Sequence, residues 1–176
     1  MNFANAYQLS SLSAPGYSDT LLNVDEISDS LPPAEDLKMA FSRVVEDIHI
    51  KPAVKFRIVL EGPLRTLDPW IEEYAYRIGR EALLNAFCHS EANTIELYIR
   101  YAHTGLHVAV RDNGKGMSED LLRMGCNGLS WMKQLANRIG AKFRLFSRTS
   151  AGTEVILLIP GDIAFADTKQ RRWQAA

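Results

Sequence analysis

The sequence has no excess of charge of either sign, no long apolar run and no cysteine pattern, and each absence removes a class of protein. Twenty Lys and Arg residues against 21 Asp and Glu give a formal net charge of −1, which leaves no electrostatic footprint for nucleic acid. The basic run Lys169, Arg171 and Arg172 is short and reads as a solvated tail. No apolar stretch approaches the roughly 18 residues that a membrane span needs, and the N-terminus lacks a signal-peptide core. Two cysteines, Cys88 and Cys126, fit no disulfide or C-x-x-C spacing, which suits a reducing cytoplasm. His103 and His107 have no companions at metal-ligand spacing. What is present, 47% hydrophobic and 23% charged residues, suffices for one domain core.

Residues 1–32, rich in Ser, Asn, Asp and Pro, read as a linker or flexible N-terminal segment. Pro32 and Pro33 precede an amphipathic pattern, Leu37, Ala40, Phe41, Val44, Val45 and Ile48, that predicts a helix. Strand signals follow at residues 54–61, 94–101, 106–111, 142–147 and 153–160, with Ala102 to Gly105 as a hairpin turn. A long helix is predicted from Pro69, with Asp68 as N-cap and Ile71, Tyr74, Ala75, Ile78 and Ala82 as its buried stripe. A third helix opens at Gly128 and stops at Gly140. The order α-β-α-β-β-α-β-β predicts an α/β sandwich, one mixed β-sheet with helices packed on one face. Tyr98 and Arg100, alternating with Ile95, Leu97 and Ile99, make the other face partly polar.

Three segments carry candidate chemistry. Asp112-Asn113-Gly114-Lys115-Gly116-Met117 begins where the alternating run Leu106, Val108, Val110 ends. Two glycines let such a loop approach a flat ligand closely, and Asp112 could accept a hydrogen bond from an exocyclic amine, although Asn-Gly is equally a plain turn signal. On the long helix, Glu81, Asn85 and His89 are four apart and share one row. A solvated face would carry polar residues at the same spacing. Gly125 to Met132 places a glycine-flanked helix start where free N–H groups would face phosphate, though a capped surface helix would look alike. Trp131 beside it reads as packing rather than a cover for ligand, and Trp70 and Tyr74 as core or interface.

In this order, with Gly152-Thr153 ahead of Val155 to Ile159, the segments resemble the nucleotide-binding boxes of the GHKL ATPase superfamily. The likeness is to the catalytic domain of two-component sensor histidine kinases, and it covers about Phe56 to Pro160. The subgroup motif R-I-x-x-E-A-L-x-N-A-x-x-H is matched at every fixed position from Arg77 to His89. The resemblance implies a histidine kinase-like ATPase fold and a GHKL ATP-binding catalytic domain over residues 33–162, with a C-terminal tail at 163–176. It implies ATP and Mg²⁺ as cofactors, with Asn85 the metal ligand and Glu81 the catalytic carboxylate, orienting a water or acting as general base. His89 would lie near the phosphates. Asp112 would bind the adenine amine, Gly114, Gly116 and Met117 would line the base pocket, and Thr153 would support the base. Gly125, Gly128 and Leu129 would bring the lid and the next helix to the phosphates.

Departures accompany the matches. Only Ser118 to Asn127 separate Met117 from Gly128, which leaves a very short lid beginning with a helix start at Ser118-Glu119-Asp120, and Cys126-Asn127 stand where the subgroup commonly has a His. None of His49, His103 and His107 has the surroundings of a phospho-acceptor. The expected partner is therefore a separate dimerisation and histidine phosphotransfer domain, with a response regulator reached indirectly, and the chain is expected to be the catalytic part of a longer kinase or to work in trans. Two other readings stay open: a degenerate GHKL module acting as a regulatory platform, and a protein serine kinase of the anti-sigma-factor type. The location implied is cytoplasmic, or the cytoplasmic portion of a membrane-bound sensor.

Overall fold

The computed structural model describes residues 36–48, 54–118 and 127–166. Five strands form one sheet in the order β1-β2-β3-β5-β4: β1 Lys55–Glu61, β2 Thr94–Ala102, β3 Gly105–Asp112, β4 Lys142–Ser147 and β5 Thr153–Pro160. β1 runs parallel to β2 and every other pairing is antiparallel, so the sheet is mixed. The parallel step follows from the long connection between β1 and β2, because parallel neighbours need a crossover. That crossover is α2, Pro69–His89.

Helix boundaries follow their caps. Asp36 accepts from the Met39 N–H at 2.9 Å and starts α1, Leu37–Asp47. Asp68 accepts from the Trp70 and Ile71 N–H groups, with Pro69 in the first turn, where its missing N–H costs nothing. α3, Asn127–Arg138, ends into Gly140, whose φ of 69° is left-handed. There Ala141 N–H returns to the Ala136 carbonyl at 2.9 Å, closing the helix end.

Alternation along the strands sends Ile95, Leu97, Ile99, Leu106, Val108, Val110, Val155, Leu157 and Ile159 to one buried face. α2 lies on that face against β2, β3 and β5, flanked by α1 on one side and α3 on the other. The flanking helices explain why α2 buries more than the stripe its spacing predicts: Tyr76, Gly79, Arg80, Leu83, Leu84 and Ala86 are buried as well. At Gly79 the helices approach so closely that an added Cβ would strike the Phe41 ring. Trp70 is 71% exposed, which excludes the core from the two readings given for it, core or interface. Trp131 is half-buried and packs against the core.

Past β5 a short α4, Gly161–Ala164, leads to Phe165, which is fully buried, pairs with Leu67 and lies under the Arg65 guanidinium at 3.5 Å. The packed fold therefore runs past residue 162, to Ala166, whose N–H is bonded to the Thr66 carbonyl. No helix among the described residues is long and apolar enough to cross a membrane.

Candidate nucleotide site

Asp112 ends β3 on the helix-covered face, in register with Thr153 of β5, and is 7% exposed. Its carboxylate accepts from the Gly114 N–H at 2.8 Å and from the Thr153 backbone N–H. Burial pushes its pKa above the usual aspartate value, with the two backbone donors pulling the other way. No cation pairs with it among the described residues. The result is a buried carboxylate held in place by main chain, with acceptor capacity left over.

The loops around it are fixed by backbone contacts that leave no room for side chains. A Cβ on Gly152, at φ 78°, would overlap the Asp112 carbonyl, and one on Gly116, at φ 65°, would overlap the Arg148 carbonyl. Gly114 lies against the Ser90 carbonyl at the end of α2, where the Lys115 N–H also bonds at 2.8 Å. The Asn113 side chain accepts from the Asn93 and Thr94 N–H groups. One loop thus joins the C-terminus of α2 to the adjoining ends of β3 and β5.

Ser147 is a hub that sequence reasoning passed over. Its hydroxyl accepts from the Met117 N–H at 2.9 Å, reaches the Gly152 carbonyl at 3.2 Å and lies 2.9 Å from the Thr153 hydroxyl. A hydroxyl has one proton. Since the Gly152 carbonyl can only accept, Ser147 donates there and Thr153 donates to Ser147. That orientation leaves the Thr153 oxygen as an acceptor. The signal was available: Phe143 and Leu145 face inward along β4, and Ser147 is the polar residue at the next inward position.

On α2, Glu81 and Asn85 are half-buried and joined, with Asn85 Nδ2 donating to Glu81 Oε1 at 3.3 Å. His89, one turn on, is exposed. Gly128, in the first turn of α3, presses on the same pair, and an added Cβ there would overlap Glu81 Oε1. Leu129 is half-buried and packs against the core. The N-terminus of α3 and the Glu81 row therefore meet, as the order of motifs requires. Gly125, Cys126 and the helix start at Ser118-Glu119-Asp120 lie largely outside the described residues, as does His49; of these only Ser118 is described, and it is not in a helix.

Asn85 and Glu81 are the oxygen donors in this row that could hold a hard cation. No group of three or more His, Cys, Asp or Glu residues converges among the described residues. Asn85 spends its amide nitrogen on Glu81, so the oxygen is the atom left to meet a hard cation.

A mixed five-stranded sheet with helices on one face defines an α/β sandwich. The model of the histidine kinase-, DNA gyrase B-, and HSP90-like ATPase family matches residues 71–163. The chain belongs to that family. The sensor histidine kinase LiaS of Bacillus subtilis is 33% identical over 90 residues, 51% of this chain and 25% of that protein. The nitrate/nitrite sensor protein NarQ of Escherichia coli is 31% identical over 122 residues, 69% of this chain and 21% of that protein. The chain thus spans about a quarter of the length of the curated relatives it matches. Among solved structures, the ATP binding domain of PrrB from Mycobacterium tuberculosis aligns at a TM-score of 0.55 and 23% identity, over 76% of this chain and 98% of that one. The blue-light activated histidine kinase of Erythrobacter litoralis aligns at 0.63 and 21%, over 78% of this chain and 43% of that one. Both share the fold.

Proposed function

We propose that the chain is the Mg-ATP-binding catalytic domain of a two-component sensor histidine kinase, delivering the γ-phosphate to a histidine on a separate dimerisation domain. The observation that carries the reading is Asp112: a buried carboxylate, oriented by two backbone N–H groups and lacking a cation among the described residues, fits a neutral donor such as the adenine amine. The sensor kinases among the relatives support the choice of acceptor.

In this reading Asp112 and the Thr153 hydroxyl oxygen fix the base, and Gly114 and Gly116 let the loop beside them pack against the Ser90 and Arg148 carbonyls. Asn85 offers its oxygen to the cation, which when bound supplies charge neutralisation across the phosphates. Glu81 holds the Asn85 amide in that orientation and accepts a proton or positions a water. His89 lies one turn further along the same row. Met117, its N–H held by Ser147, stays on the base side, and Gly128 and Leu129 at the start of α3 bound the phosphate side. The protein's contribution is positioning, because phosphoryl transfer asks little covalent work of it.

Titration with a fluorescent ATP analogue tests the binding step. Affinity that rises with magnesium is expected, and no saturable binding with or without magnesium would end the reading. With matched dimerisation domains added, phosphohistidine should form. ATP binding without transfer to any of several matched partners would instead favour a regulatory module.

A further inference from the structure

The face of the sheet that no helix covers carries Lys55, Arg57, Arg100, Arg111, Lys142 and Arg144 against three glutamates, Glu61, Glu96 and Glu154. Its two halves differ. On the β1–β2 side Arg57 pairs with Glu96 and Arg100 lies 3.5 Å from Glu61, so the cations there are paired except Lys55. On the β5–β4 side Lys142 and Arg144 share the face with one carboxylate, Glu154, and have no ion-pair partner among the described residues. Between and beside them run Ile156, Leu158 and Phe146, the last 54% exposed. A cleft of about 370 Å³ opens at the hairpin end of this face, with Arg100, His107, Leu158 and Lys142 across it. This half is thus both apolar and cationic, a combination that calls for a partner with apolar and acidic groups interleaved.

The chain contains such a segment. Residues 1–35 hold five carboxylates, Asp19, Asp25, Glu26, Asp29 and Glu35, and no Lys or Arg. Leu21, Leu22, Val24, Ile27 and Leu31 interleave with the middle three. The other end of the chain has the wrong sign, with Lys169, Arg171 and Arg172 against Asp167. The point of departure is also favourable. Asp36 caps α1 close to Tyr101, whose hydroxyl is pushed up to about 12 by burial and then by the Asp36 and Glu72 charges. Tyr101 adjoins Ala102, which lines the cleft. Asp36 and Tyr101 lie on the helix-covered side, so the segment must round the hairpin end of the sheet. From Asp25 to Asp36 an extended chain spans roughly 36 Å, against three strand spacings from β2 to β4, about 15 Å, plus about 10 Å to pass from one face to the other.

We propose that residues 19–31 dock in cis on the β5–β4 half of the open sheet face, their carboxylates on Lys142 and Arg144 and their aliphatic side chains over Ile156, Leu158 and Phe146. The surface lies on the opposite side of the sheet from Asp112 and Asn85, so the inference does not rest on the nucleotide reading.

Zero-length carbodiimide cross-linking of the full chain, read by mass spectrometry, tests it. Links from Asp25, Glu26 or Asp29 to Lys142 are expected, at least about 5-fold above links to Lys115 or Lys133. In a mixture of unlabelled and ¹⁵N-labelled chains they should fall within one chain. Raising NaCl to 0.5 M should weaken them, because exposed charge pairs are screened. The double variant R144E/F146E, checked for a native melting transition, should lower the Lys142 yield several-fold. Links spread evenly over the lysines would overturn the proposal. So would links only between differently labelled chains, which would assign the face to a second copy. The salt series on the unaltered chain keeps the test decisive if the variant fails to fold.

Discussion

The two ends of the candidate nucleotide site are built by different means. At the base end, Asp112, Gly114, Gly116, Gly152, Thr153 and Ser147 are tied by main-chain hydrogen bonds and by contacts that exclude a Cβ. At the phosphate end, Glu81 and Asn85 share one hydrogen bond of 3.3 Å and are half-exposed. Preorganised main chain recognises a flat, neutral base without rearrangement. Side chains that still have water around them fit a site completed by a metal and a charged ligand. On the proposed reading, the base end is thus set by folding and the phosphate end by binding.

Breaking the phosphate end should have the largest effect. Asn85→Ala should lower phosphotransfer by about 100-fold or more, since even outer-shell partners of a metal are worth roughly 10–100-fold. The defect should appear as loss of the magnesium-dependent part of ATP affinity; an equal loss with and without magnesium would refute the metal-ligand role. Asp112→Asn comes next, weakening ATP binding by roughly 1.5–3 kcal/mol, the range of a hydrogen bond to a charged group, with calorimetry as the check.

The same Asp112 substitution sharpens the comparison through pH. Burial raises the Asp112 pKa, so the folded chain holds that proton more tightly than the unfolded chain. Its contribution to stability is fully present below the ordinary aspartate range and lost as pH rises through the folded value. Without nucleotide, wild type should therefore lose stability relative to Asp112→Asn over that window, measured by urea unfolding across pH. A constant difference would remove the burial cost.

Gly152→Ala should destabilise the fold by roughly 1–3 kcal/mol, because it adds a strained left-handed residue and a clash with the Asp112 carbonyl. Ser147→Ala should be the mildest, about 1 kcal/mol. It should weaken ATP binding equally with and without magnesium, whereas an effect confined to magnesium would place Ser147 at the wrong end.

Much of this was legible before any coordinates. The strand boundaries followed alternation, the start of α2 followed Asp68 and Pro69, and α3 ended at Gly140, because these signals are local, whereas the Asp36 cap of α1 was seen only in the structure. Ser147 was not legible as a hub, since its partners lie 5, 6 and 30 residues away and meet it only through strand pairing. Whether Trp70 belonged to the core was not legible, because its helix position alone does not say which elements pack beside it.

By itself, the sequence determined the mixed sandwich and singled out Glu81, Asn85 and Asp112 as candidates, since periodicity, caps and motif spacing are properties of neighbours along the chain. Only the tertiary structure decided that Gly128 closes on Glu81, that Ser147 orients Thr153, and that one half of the open face is left both apolar and cationic. Each depends on which strands and helices lie side by side, and that order is fixed by burying the whole core at once rather than by any local stretch.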